Sequence, residues 1–546
     1  MAIIIGLLSG LIVILFRIAI DVLRIELLGS ALEPSGIRLL LAPAIAGLIV
    51  AALVVRFFPR VRGSGVNQTK AAVYVFEGYV PFRTVWGKFL TCALAIGSGH
   101  SLGPEDPSLQ MGAGIASALG RWFRLSRDKI RLIAPVGAAA GLAAAFNAPI
   151  SAVIFVIEEV IGNWTAGALG AIVLAAVSSV AVVRVFLGPE PMFHVPVQQS
   201  VHPSELLGYA FLGVIGGVAS LVFIKLIAFL RPLLKALGRT SQYFQPAAAG
   251  LLIGWIGLSF PQVMGAGYEY IDQALHSRYE WRLLALLAAL KILTTTLSFA
   301  SGTPGGMFAP TLFVGAMLGG AVGALEHNFV PWLPGSVGPY ALVGMGVLFA
   351  GFLRVPFTSI FMVLEVSGNY SLILPVMISN TIAYLISRQY QSASLFDLLT
   401  RQDGIELPSM EEQREEAGLR IEDAMRPAPA VVLDAQDSLD AARRKAEEDS
   451  SDFFLVRGAE GSWSGIGKTA LEASSQEGDG QRPLSSLNSL VPLPAVHPDH
   501  SLDAGLRRMG DSPFLPVIHR ADLRRLEGVI SLDDILRAYR DLPERR

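Results

Sequence analysis

Charge is what this sequence has least of. Of its 546 residues only 16% are Asp, Glu, Lys or Arg, against 52% hydrophobic. A soluble globular chain is about a quarter charged. The scarcity is uneven, because residues 401–546 carry about half of the charges. A long apolar region is therefore followed by a soluble one. The net charge of −2 excludes the basic excess of a nucleic-acid binder. Cysteine is almost absent: Cys92 stands alone inside an apolar segment. That excludes a disulfide framework and a cysteine metal site, and Cys92 reads as a small buried hydrophobe. The eight histidines are scattered, with no pair at metal-ligand spacing. No enzyme constellation, metal or required cofactor is expected. A cleavable leader is not expected either. MAIIIGLLSGLIVILFRIAIDVL at 1–23 has the hydropathy of a signal sequence, but no basic n-region and no small-residue cleavage site before Arg17. It is expected to be the first membrane helix, retained.

What is present is apolar and irregular. Apolar stretches recur at 38–58, 88–97, 132–161, 168–187, 206–230, 244–260, 282–300, 307–324, 338–364 and 371–387. Several are shorter than the ~20 residues a straight span needs. Many are broken by glycine or proline, as in GSGHSLGPEDP at 97–107, AAAFNAPISAV at 143–153 and SGTPGGMFAP at 301–310. Broken helices are tolerated at membrane depth only where they face protein or a water-filled site. Broken segments at corresponding places in two halves point to a transporter binding site.

The halves do correspond. Gly6, Gly10 and Phe16 match Gly213, Gly217 and Phe223 at an offset of 207, and Pro43 and Gly47 match Pro246 and Gly250 at 203. Lys88, Thr91, Ser98, Gly99, Gly103, Pro107, Gly112 and Gly120 match Lys291, Thr294, Ser301, Gly302, Gly306, Pro310, Gly315 and Gly323, all at 203. Gly137, Pro149 and Glu158 match Gly344, Pro356 and Glu365 at 207. One repeat is placed at 1–200 and a second at 201–400; offsets alone do not say whether the two are parallel or inverted. Residues shared by the halves are scaffold. Polar residues found in one half only have no such excuse: Ser64 pairs with Ala266, Glu105 with Phe308, and Glu159 with Val366.

The segment 97–114 sets glycines and a proline before a helix expected to start near Pro107. Backbone N–H groups at a helix start are unpaired and carry partial positive charge. They make an anion site without a full fixed charge. Ser64 adds a hydroxyl, and Gly306-Met307-Phe308-Ala309-Pro310 adds backbone donors. Glu105 lies in this donor cluster, where a carboxylate can take an anion's place and its protonation removes the competitor. Asp106 is open to a second reading as a helix N-cap. Glu158, echoed by Glu365, has a structural or polar-network role, whereas Glu159 is a candidate inner end of a proton route whose outer end is Glu105. The basic run Arg121, Arg124, Arg127, Lys129 and Arg131 reads as an interfacial loop.

These residues resemble the CLC chloride channel and transporter family. GSGVNQ at 63–68, GPEDP at 103–107 and GMFAP at 306–310 are similar to its three signatures, and FNAPISAVIFVIEEV at 146–160 is also typical. The resemblance implies an α-helical polytopic membrane protein built as an inverted repeat of broken and tilted helices. It implies a homodimer in the bilayer of a cell membrane, with one chloride pathway per subunit. Ser64 and the N–H groups of Met307 and Phe308 would hold the central anion. Glu105 would be the gate and Glu159 the internal proton-transfer residue, which favours chloride/proton exchange over passive conduction. Three departures stand out. Pro104 replaces a basic residue and has no N–H. Asp106 replaces glycine and adds an acid beside the gate. Phe396 stands where many members have the tyrosine whose hydroxyl binds the anion, which leaves Ser64 as the side-chain hydroxyl there. Asn67 also replaces the signature proline.

Residues 401–420 read as a charged linker. Two similar segments follow, assigned to 421–484 and 485–546, each with a PAV run leading into SLDA (PAVVLDAQDSLDA and PAVHPDHSLDA) and then a strand, FFLVRG or FLPVIHR. They resemble a C-terminal α/β pair of CBS modules, expected in the cytosol. Gly528-Val-Ile-Ser531-Leu-Asp-Asp534 is similar to the CBS ending that binds a nucleotide ribose, with Thr469 in a weaker match. An adenine nucleotide is the candidate ligand; the alternative is a dimerising module without one. Two other functions remain open at this stage, a passive chloride channel of the same fold and a membrane-embedded sensor with the tail as output.

Overall fold

The computed structural model describes residues 1–29, 36–162, 166–193, 202–329, 336–405, 407, 419–449, 451–458, 461–475, 480–510 and 512–540. The chain forms two compact units, Met1–Leu407 and Pro408–Arg546. The first is all-helical, and its helices repeat in order. Ala2–Leu28 corresponds to Glu205–Ala236, Gly36–Arg56 to Gln245–Ser259, Gly65–Tyr74 to Tyr268–Leu275, and Phe82–Gly97 to Trp281–Ala300. Glu105–Trp122 corresponds to Phe308–Phe329, Arg127–Phe146 to Val337–Leu348, Pro149–Phe155 to Pro356–Ser367, and Ala166–Leu187 to Ile373–Tyr390. Eight helices among the described residues are long and apolar enough to cross a membrane.

Local chemistry explains the breaks. A residue before proline is driven out of the helical region, so the helices before Pro149 and Pro356 must end. Each ends through a left-handed residue, Asn147 (φ 54°) and Arg354 (φ 62°). Each restarts with the proline at its first position, where a missing N–H costs nothing. Packing is glycine-on-glycine. A Cβ on Gly112 would lie 2.1 Å from the Gly137 carbonyl oxygen, and one on Gly315 would lie 2.2 Å from that of Gly344. Small residues let these helix backbones touch, the main source of helix adhesion where lipid removes the hydrophobic drive.

The same contacts settle how the halves are related. A Cβ on Gly47 would meet the Pro246 carbonyl oxygen at 2.5 Å, and one on Gly250 would meet that of Pro43 at 2.3 Å. The early part of each helix therefore touches the late part of its counterpart, so the two run antiparallel about a twofold axis perpendicular to them. Gly36–Arg56 is one of the candidate spans. Two counterpart helices that run in opposite directions are the arrangement expected of inverted repeats.

Two glutamates lace the halves together. Glu158 accepts from the Thr358 N–H (3.0 Å), the Thr358 hydroxyl (2.8 Å) and the Phe357 N–H (3.4 Å) at the start of Pro356–Ser367. Glu365 accepts from the Ile150 N–H (2.9 Å), the Ser151 N–H (2.7 Å) and the Ser151 hydroxyl (2.5 Å) at the start of Pro149–Phe155. Each half thus supplies the anionic cap for a helix of the other.

The second unit has two sheets. In chain order its strands are β1 (Arg426–Pro427), β2 (Val432–Asp434), β3 (Phe453–Arg457), β4 (Trp463–Gly467), β5 (Val491–Pro492), β6 (Phe514–His519) and β7 (Asp522–Ser531). They pair as β1-β7-β6 and β2-β3-β4-β5. The sheets do not divide at 484/485. The segment after Arg420 gives its first strand to the later sheet, and the later segment gives β5 to the earlier one. The shared SLDA pattern builds the same helix start twice: Ser438 accepts from the Ala441 N–H and Ser501 from the Ala504 N–H, both at 3.3 Å.

Candidate functional site

Three helix N-termini converge inside the first unit: those of Gly65–Tyr74, Glu105–Trp122 and Phe308–Phe329. At their centre the two broken segments meet. Gly103 and Gly306 exchange backbone hydrogen bonds, each N–H to the other's carbonyl at 2.8 Å. Only glycine fits here. A Cβ on Gly103 would lie 2.3 Å from Glu105 Oε2, one on Gly306 would lie 2.9 Å from Asp106 Cβ, and one on Gly65 would lie 2.1 Å from the Asp106 carbonyl oxygen. The central helix begins at Glu105, two residues before the expected Pro107. Pro104 takes the cap position, and Asp106 lies in the first turn rather than at the cap.

Ser64, Glu105, Asp106, Met307, Phe308 and Phe396 are brought together and buried. Ser64 caps Gly65–Tyr74 by accepting from the Val66 N–H (3.2 Å), and its hydroxyl donates to Asp106 Oδ2 (2.8 Å). Glu105 accepts from the Ala309 N–H at 3.4 Å and from the Tyr268 hydroxyl. Phe308 is the hub of an aromatic wall, with ring centroids 5.1 Å from Phe155, 5.2 Å from Phe349 and 6.4 Å from Phe396. Phe396 therefore offers the site a ring and no hydroxyl. Beneath the GSG turn, buried Lys88 donates from Nζ to the Gly63 carbonyl (2.7 Å), and its counterpart Lys291 does the same to Gly265 (2.7 Å). Each repeat thus holds one buried ammonium behind the donor loop, directed at backbone rather than into the site.

Glu159 stands at a second pole. Pro149–Phe155 widens into a π-helical turn over Val156–Ile161, while the equivalent helix Pro356–Ser367 stays regular. Such turns gather at functional sites. The turn delivers Glu159 to Lys70 Nζ at 3.0 Å, and Lys70 also meets Asp397 at 3.0 Å. Phe155, one helical turn before Glu159, packs on Phe308, so one short helix touches both poles. Asn67 donates to the Phe396 carbonyl (2.7 Å) and the Thr400 hydroxyl (2.6 Å) and pins the Phe396 helix, Leu395–Gln402, in place.

Cavities open toward the site. One of about 410 Å³ is lined by Arg60, Arg62, Asn67, Gln68, Arg231 and Lys235 among others. Asp403 pairs with Arg231 (2.8 Å) and Lys235 (2.5 Å), leaving the wall net basic. Another, of about 120 Å³, is lined by Arg17, Arg24, Pro104, Tyr268 and Glu269. Arg17 lies within electrostatic reach of Glu105 and lines the same cavity as Pro104.

Sequence reasoning missed Lys70, Asp397, Tyr268 and Arg17. A usable signal existed for the lysine, since a charged residue within an apolar region is a site candidate by default. In the second unit Ser531 and Asp534 form a reciprocal helix cap. Asp534 Oδ2 accepts from the Ser531 N–H (2.9 Å) and hydroxyl (2.6 Å), and from Arg426 Nε (2.9 Å). Thr469 lies in the first turn of the helix Lys468–Ser475.

The family model described as voltage gated chloride channel matches residues 46–388. The chain is 35% identical over 401 residues to the H(+)/Cl(−) exchange transporter ClcA of Vibrio campbellii, covering 71% of this chain and 86% of that one. It is 32% identical over 379 residues to the putative chloride channel protein ClcB-like of Ralstonia nicotianae, covering 68% and 87%. Its fold resembles that of a slow cyanobacterial Cl−/H+ antiporter (TM-score 0.68, 24% identity, 76% of this chain and 98% of that one). It also resembles that of a eukaryotic CLC transporter (TM-score 0.63, 21% identity, 98% and 97%).

Proposed function

Because the chain belongs to the voltage-gated chloride channel family, we propose that it exchanges chloride for protons across a membrane. The observation that carries this reading is the Glu105 carboxylate lodged among helix N-terminal donors. Charged, Glu105 occupies the amide cradle and blocks it. Protonated, it loses its hold on the N–H groups and yields the cradle to an anion. The same group then carries the proton and admits the anion, which is the essence of coupling. Ser64 Oγ and the N–H groups of Met307 and Phe308 serve as the inner anion donors. Glu159 hands the proton to the other side, with Lys70 and Asp397 setting its charge balance. The basic wall at Arg60, Arg62, Arg231 and Lys235 concentrates chloride at the mouth.

The test is flux in liposomes. With purified protein and a chloride gradient, protons should move uphill against their own gradient. Chloride flux without proton movement would refute exchange and leave a passive channel. No flux of either ion would refute transport altogether.

The protein is further read as a homodimer in the cell membrane with its C-terminal unit in the cytosol as a CBS pair. The repeated SLDA caps and exchanged strands support a paired module. An adenine nucleotide at Ser531, Asp534 and Thr469 would have to compete with Arg426 for Asp534. Calorimetry with ATP, ADP and AMP tests it, and no heat from any of the three would favour a module without a ligand.

A further inference from the structure

The first turn of Glu105–Trp122 holds two carboxylates, and the exchange reading uses only one. Asp106 is as deeply buried as Glu105, with no exposed surface. A carboxylate that merely served the helix dipole would turn to the free N–H groups of its own helix. Asp106 instead reaches across to Ser64, 42 positions away, and takes its hydroxyl at 2.8 Å. The Met307 N–H lies within electrostatic reach of the same carboxylate, without a hydrogen bond to it. These are two of the donors assigned above to the transported anion. The other oxygen, Oδ1, is buried with no hydrogen-bond partner, and so it sits as an unsatisfied negative end in a place built for anions. The nearest charged groups are buried Lys88, on Phe82–Gly97, and Glu105 on the same turn. The closeness of Gly306, where a Cβ would fall 2.9 Å from Asp106 Cβ, gives the side chain the room to lie over the seat.

We propose that Asp106 is a tethered anion that occupies the Ser64–Met307 seat, so that a free anion binds there only when Asp106 swings away. This rests on the reading of that seat as the chloride site. Glu105 and Asp106 then form two stoppers in series, one on the Ala309 side and one on the Ser64 side. Ser64 is a poor ligand for chloride while its one proton is spent on Asp106. If the carboxylate holds the seat about nine-tenths of the time, a free anion sees about a tenth of the intrinsic affinity.

The experiment compares full-length wild type with Asp106→Gly and Asp106→Asn, each confirmed monodisperse. Chloride binding is measured by calorimetry and chloride efflux in liposomes. Asp106→Gly should tighten the apparent chloride Kd about tenfold and speed efflux at low chloride. Asp106→Asn keeps the shape without the charge and should shift Kd the same way by less. Unchanged or weaker chloride binding in both folded variants would overturn the proposal and leave Asp106 a helix-end acid. No efflux in wild type and both variants would instead refute the transport reading. The binding measurement would then decide by itself whether Asp106 sits on an anion seat.

Discussion

Removing Glu158 should destabilise the protein more than removing Glu365, although the two are repeat-related and make the same three contacts. Glu158 is 4% exposed and its partner Thr358 is 1% exposed. Glu158→Ala strands the Thr358 N–H and hydroxyl where water cannot replace the carboxylate. Each buried donor left unpaired costs about 1–3 kcal/mol, and the lost cap is part of the same sum. The total is about 3–5 kcal/mol. The capped donors are alike at the two ends, since Ser151 like Thr358 is 1% exposed and Ile150 and Phe357 are 50% and 59% exposed, but Glu365 itself is only half-buried. Water can refill that end, so Glu365→Ala should cost about 1–2 kcal/mol, the ordinary worth of a cap. Gln at either position keeps an acceptor and should recover part of the loss. Equilibrium unfolding in mixed micelles, titrated with a denaturing detergent, reads the difference. Equal losses, or a larger loss at Glu365, would refute the claim that burial of the carboxylate sets the magnitude.

Other outcomes follow from the same geometry. Glu105→Ala should abolish proton movement in liposomes and leave anion flux. Glu159→Val, which copies the residue of the second half, should uncouple proton from chloride movement while chloride still passes. Tyr268→Phe removes one donor to the closed carboxylate; a hydrogen bond to a charged group is worth about 1.5–3 kcal/mol, so chloride flux should rise about tenfold or more, and unchanged flux would deny Tyr268 a part in holding the gate. In the tail, burial works against the charge of Asp534, but hydrogen bonds from Ser531 and the Arg426 guanidinium outweigh it and hold its pKa below the usual 3.8. A lowered pKa adds stability above the unfolded value that is lost as pH falls through the folded one. Hydrogen exchange of the β7 amides should therefore be faster in Asp534→Asn than in wild type at pH 7, with the gap closing below pH 3.8.

The order of helices and their duplication were legible because glycine and proline leave marks that do not depend on distant partners. The offsets of 203 and 207 place matching helix starts at 105 and 308 and at 149 and 356. The asymmetry between the copies also led to Ser64, Glu105 and Glu159. What stayed hidden depends on contacts far apart in the chain. Tyr268 lies 163 positions from Glu105 and Asp397 lies 327 from Lys70, and no local pattern records such meetings. Lys70 in particular falls opposite polar Gln273 at offset 203, so a comparison of polar with apolar positions passes over it. The π-helical turn at Val156–Ile161 is likewise a product of packing, since its apolar sequence would serve a regular helix as well. In the tail the repeated pattern announced two like segments. The exchange of β1 and β5 could not be read, because strand pairing is decided by tertiary neighbours.

Gly103 and Gly306, bonded to each other across the axis, mark the point where the two copies are interchangeable. An unbroken inverted repeat would present the same face to both sides of a membrane, and such a molecule could not tell inside from outside. Here the likeness fails within two residues of that bridge, at Glu105 and Phe308. Part of the protein's sense of direction is thus written beside its centre, at the first positions where the two copies stop matching.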